Sequence, residues 1–82
     1  MEYKEKVLEA LKGGKTSEVI EYCLKGAINN GNPVYIEIAE RLAAKYKLLI
    51  AEERRLLITK ETYFQRQSEL YDEIFGFINF LD

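Results

Sequence analysis

The chain has no histidine and a single cysteine, Cys23. Without histidine there is no Ser–His or Cys–His pair to activate a nucleophile, and the commonest zinc ligand is missing. One cysteine cannot close an internal disulfide, so a reducing, intracellular (cytoplasmic) home is expected. Long apolar runs are missing too. The longest, Leu48-Leu49-Ile50-Ala51, falls far short of the roughly 20 residues that span a bilayer, so no membrane partner is expected. No basic-then-apolar leader opens the chain, and no Asn-x-Ser/Thr acceptor occurs. There is little excess charge of either sign: 32% of residues are charged, for a net −2. Non-specific binding to a phosphate backbone wants a clear positive excess.

Apolar residues make up 48% of the chain, too many for a disordered tail. The 82 residues read as one domain, 1–82, with a thin core, since chains of this size bury only about 60–65% of their unfolded surface. A segment cut from a longer polypeptide is one expectation.

Helical periodicity runs throughout. The first helix is expected over about 2–12, with Tyr3, Val7, Leu8 and Leu11 on one face, a Glu2–Lys6 pair on the other, and Gly13-Gly14 as its stop. The second is expected over about 16–30, capped by Thr16 with Glu18 in its first turn. Its inner stripe is Val19, Ile20, Cys23, Leu24, Ala27 and Ile28, and Asn29-Asn30-Gly31 ends it. Asn32-Pro33 opens a third helix over about 33–55, cap first and proline at the first helical position. Tyr35, Ile38, Ala39, Leu42, Tyr46, Leu49, Ile50 and Leu56 or Leu57 form its inner stripe. Thr59 caps a fourth helix over about 60–81, with a hydrophobic staple between Ile58 and Tyr63. Its stripe is Tyr63, Gln67, Leu70, Ile74, Phe77 and Leu81, widened by Phe64, Tyr71, Phe75 and Ile78. Gly76 inside it predicts close helix contact. Short connections favour antiparallel neighbours, so the expected fold is an all-α antiparallel bundle of two short and two long helices, the long pair forming a hairpin.

Motifs for chemistry are weak. Gly14-Lys15-Thr16 imitates the end of a phosphate-binding loop, but Glu9 stands where the first glycine belongs and a helix, not a strand, precedes it. Carboxylates at three-residue spacing (Glu18 and Glu21, Glu37 and Glu40, Glu69 with Asp72 and Glu73) fall on the polar sides of helices and lack the histidines of di-metal bundles. No cofactor, no metal and no catalytic set is expected, and Cys23 reads as a buried thiol. Lys45, Lys47, Arg54, Arg55 and Lys60 gather near the end of the third helix and the following turn. They could meet the acidic residues Glu37, Glu40, Glu69, Asp72 and Glu73 of a second copy. Phe75, Phe77 and Phe80 exceed what one buried stripe needs, and Phe80 is the candidate for an exposed, partner-binding ring.

The order of elements resembles the eleventh class of bacterial effector-associated domains. The similarity is carried by Leu8-Glu9-Ala10-Leu11-Lys12-Gly13-Gly14-Lys15-Thr16, by Leu42-Ala43-Ala44-Lys45-Tyr46-Lys47, by Arg54, and by Ile58-Thr59-Lys60-Glu61-Thr62-Tyr63 with Gln65-Arg66-Gln67 following. Leu56 stands where that family usually has a glycine between the two long helices. The resemblance implies a death-fold-like adaptor, not an enzyme, that joins a sensor to an effector through like copies of the domain. Two alternatives stay open: a structural homodimer through the apolar hairpin, and nucleic-acid binding through the basic cluster.

Overall fold

The computed structural model describes residues 2–81, without the side chain of Glu2. Four α-helices account for most of them: α1 (Glu2–Lys12), α2 (Thr16–Asn30), α3 (Pro33–Arg54) and α4 (Lys60–Ile78). No strand occurs among the described residues, in keeping with the all-α expectation. The expected Glu2–Lys6 pair lies outside the described residues.

Local chemistry sets most of the boundaries. Asn32 takes extended φ/ψ, and its side-chain oxygen accepts the Val34 N–H at 2.9 Å, with Pro33 following as the first residue of α3. Thr59 likewise accepts the Thr62 N–H at 3.1 Å to open α4. Each cap satisfies a backbone donor that the helix leaves without a partner. Gly31, at φ 82°, closes α2 and donates its N–H to Ala27 O.

The start of α2 departs from expectation. Lys15, not Thr16, holds the cap position, and no side chain caps the helix. Thr16 is instead the first helical residue and is buried; its hydroxyl shares a 2.7 Å hydrogen bond with the Tyr71 hydroxyl of α4. The oxygen that could have served its own backbone is satisfied by a residue far along the chain. The end of α4 also comes early, at Ile78. Phe80 and Leu81 donate their N–H groups to Phe77 O and Ile78 O, the tighter three-residue turn in which helices often finish.

Helices adjacent in the chain pack on one another: α1 on α2, α2 on α3 and α3 on α4. The core joins Val7 and Ala10 of α1, Val19, Ile20, Cys23 and Ala27 of α2, Ala39, Leu42 and Ala43 of α3, and Leu70, Ile74, Phe77, Ile78 and Leu81. Val7, Val19, Cys23 and Ile74 are completely enclosed. The packing around Gly26 is tight. A Cβ there would stand 3.0 Å from both Tyr3 Cβ and Leu81 Cδ2, so only glycine allows this approach. Gly76, expected at a close contact, is instead exposed and has no neighbour within 4 Å of a would-be Cβ. The Lys6 ammonium lies over the rings of Tyr3 (5.6 Å) and Tyr22 (5.5 Å), a cation–π tie between α1 and α2.

The molecule measures 37 × 24 × 16 Å. A helix of the 22 residues of α3 is about 33 Å long, close to the longest dimension.

Candidate interaction surface

The core accounts for only part of α3 and α4. Its last α3 member is Ala43 and its first α4 member is Leu70. Beyond these two residues α3 and α4 continue with little cover, and Leu49 alone is buried between Lys45 and Glu69. In the same stretch Leu48 is 61% exposed, Leu56 87%, Leu57 65% and Phe64 57%. One of Leu56 and Leu57 is expected to close the inner stripe of α3, but the helix ends at Arg54 and both lie exposed in the turn beyond it. Phe64 and Phe75 also turn outward rather than widening the core. The Phe64 ring meets Tyr63 edge-on, with centroids 5.5 Å apart. The Tyr63 hydroxyl is pushed above the usual phenol range, first by burial and then by the Glu53 carboxylate.

Leu56 has φ 57°, in the left-handed region that favours glycine. Its N–H bonds Glu53 O at 3.1 Å, and the Leu57 N–H bonds Glu52 O at 2.9 Å. Gly14, φ 69°, makes the same pair of bonds after α1: its own N–H to Leu11 O, and the Lys15 N–H to Ala10 O. Both helices thus end in the same motif, one with glycine at the left-handed position and the other with leucine.

Between α3 and α4 lies an open groove of about 350 Å³, with Leu48, Leu49 and Leu70 among its lining residues. Two ion pairs cross it. Lys45 Nζ is 2.6 Å from Glu73 Oε1, and Arg66 Nη1 is 2.7 Å from Glu52 Oε1. Glu69 also lines it. Lys45 and Glu73, expected to seek partners in a second copy, hold each other within one molecule. Lys45, Glu73 and Arg66 are each about half exposed and Glu52 is 21% exposed; ion pairs open to water in this way are each worth about 1 kcal/mol or less. A shallower hollow of about 320 Å³ is lined by Tyr46, Lys47, Ile50, Ala51 and Arg54.

The other candidate residues are dispersed. Arg55 caps the end of α3, Lys60 begins α4, and both are exposed, as are Lys47 and Arg54. Glu37 pairs with Arg41 at 3.6 Å along α3, while Glu40 and Asp72 are exposed on α3 and α4. Phe80 is half exposed, its ring stacked on Tyr35 at 5.2 Å. Tyr71, expected to widen the inner stripe of the fourth helix, is half-buried and tied to Thr16. Burial pushes the Cys23 thiol up to about 12, which keeps it protonated and unreactive at neutral pH. Among the described residues no group of His, Cys, Asp or Glu could hold a metal ion, and no helix is long and apolar enough to cross a membrane.

Residue-type reasoning did not single out Leu48, nor the pairing of Glu52 with Arg66. One signal was available: Lys45 and Glu52 stand two turns apart on α3, Arg66 and Glu73 two turns apart on α4, in matching order of sign. No protein-family model, no curated protein and no solved structure matches this chain.

Proposed function

We propose that this domain is a non-enzymatic adaptor that binds a like copy of itself, joining a sensor to an effector in bacterial signalling or defence. The observation that carries this reading is the exposed apolar stretch of α3 and α4. Leu48, Leu56, Leu57 and Phe64 stand in water beside Lys47, Arg54, Arg55 and Lys60. Clustered exposed apolar side chains rimmed by charge mark a protein-binding face. The resemblance to effector-associated domains supplies the like-with-like partner and the sensor–effector setting. A cytoplasmic home agrees with a free, buried thiol. The finer architecture, an antiparallel bundle whose long helices form a hairpin, is supported by the two ion pairs: position rises from Lys45 to Glu52 on α3 as it falls from Glu73 to Arg66 on α4.

The test is sedimentation of the purified domain across a salt series, alone and mixed with a like domain from a candidate sensor or effector. Association that weakens as salt rises from about 0.05 to 0.5 M is expected, because exposed charges are screened over about 8–10 Å at physiological strength. A domain that stays monomeric and binds no like domain rules the adaptor out. The same exposed leucines favour a second reading, a structural homodimer through α3 and α4 packed side by side. Association indifferent to salt is its signature.

A further inference from the structure

A patch of one sign cannot pair with its own copy about a two-fold axis, because each charge meets a like charge near the axis. The turn between α3 and α4 is mixed in sign, with Glu53 and Glu61 exposed among Arg54, Arg55 and Lys60. The groove between α3 and α4 is different. Its charges form a rectangle: Lys45 beside Glu73 at one end, Glu52 beside Arg66 at the other, each end joined by an ion pair. The two ends lie about two helical turns apart, and the exposed Leu48 lies between them on α3. Positive and negative alternate around the corners, so the rectangle is complementary to itself.

On the like-with-like reading above, on which this step depends, we propose that the groove binds a second copy of this chain. The two-fold axis runs along the helices, so that α3 of each copy lies over α4 of the other. Lys45 then faces Glu73 of the second copy, and Glu52 faces its Arg66. Each existing ion pair becomes part of a four-charge cluster, and the Leu48 side chains are withdrawn from water. This axis sets Leu48 opposite Glu69 of the second copy, whereas an axis across the helices would set Glu69 against its own copy and Lys45 against Glu52; the charge exchange below leaves self-association intact only on the first. The contact is closed and pairwise, unlike a head-to-tail array.

The experiment uses the whole chain in sedimentation velocity and in fluorescence mixing of differently labelled copies. Circular dichroism melts confirm that each variant folds. Leu48→Glu is expected to weaken self-association by roughly tenfold or more, while Ile28→Glu, at an exposed position of α2 outside the groove, leaves it unchanged. The exchange Lys45→Glu with Glu73→Lys keeps the ion pair inside each molecule. It is expected to associate with itself as wild type does, yet to mix with wild type at least about tenfold less well, since like charges then face each other. Free mixing of exchanged and wild-type copies overturns the proposal. So does a wild-type association that survives Leu48→Glu, or a wild-type chain that stays monomeric at millimolar concentration. If wild type still binds like domains in those cases, only this face and axis fall and the adaptor reading stands. If it binds none, both fall.

Discussion

Where α1 and α2 cover them, α3 and α4 bury Leu42, Ile74, Phe77 and Ile78 almost completely. Where the same two helices run on without that cover, Leu48, Leu56, Leu57 and Phe64 are more than half exposed. Both ends use the same kinds of residue at the same spacing. What differs is whether a third or fourth helix closes the remaining side. An amphipathic stripe specifies a face to be covered, and the topology decides whether this chain or another molecule covers it. Stability should therefore concentrate at the covered end, and recognition at the open one.

The largest contrast is expected between Ile74→Ala and Leu57→Ala. Ile74 is wholly enclosed, and its truncation should cost about 2–5 kcal/mol through lost burial and a residual cavity. Leu57→Ala should fall within about 0.5 kcal/mol of wild type. Urea unfolding of both variants measures the difference, and equal losses would mean that the two ends are not energetically distinct. Next come the two helical glycines. Gly26→Ala forces a methyl against Tyr3 and Leu81 and should destabilise by about 1–3 kcal/mol. Gly76→Ala enters open space and should stabilise by up to about 1 kcal/mol through helix propensity. Thermal melts of the pair should shift in opposite directions.

Cys23 reports on the covered end by pH. Burial raises its folded value from 9.0 to about 12. The folded state therefore favours the neutral thiol. The stability this contributes is complete below pH 9 and is lost as pH rises toward 12. Stability of wild type relative to Cys23→Ala should accordingly fall across that window, and a thiol reagent at pH 8 should label Cys23 only as fast as the domain opens. The smallest effect belongs to the turn. Leu56→Gly relieves a left-handed leucine, worth about 1–2 kcal/mol, but adds unfolded-state freedom, so a net gain below about 1 kcal/mol is expected. Denaturant midpoints with unchanged slope would register it, and a loss would show that the leucine side chain matters to the folded monomer.

Local chemistry made much of the fold legible. The caps at Asn32 and Thr59 depend on residues within one turn of each, and the doublets of α2 foretold the burial of Val19, Ile20, Cys23 and Ala27. Position relative to other helices was not legible. Ile28 belongs to the same doublets and is 63% exposed. Gly26 and Gly76 look alike within their helices, and only the packed molecule separates the tight contact from the open one. Thr16 has the composition of a cap, but Tyr71 offered its hydroxyl another partner. At the candidate surface Lys45 and Glu73 stood out in the sequence, whereas Glu52, Arg66 and the pairing of the four did not. Lys45 finds Glu73, and Glu52 finds Arg66, only after α3 and α4 have docked.

The contact at Gly26 brings Tyr3 and Leu81 over the same helix. A polypeptide threaded through this domain would enter and leave almost side by side, at the covered end. Neighbouring segments of a longer chain could then be attached on both sides, like two straps on one buckle, without lying across the groove or the turn between α3 and α4.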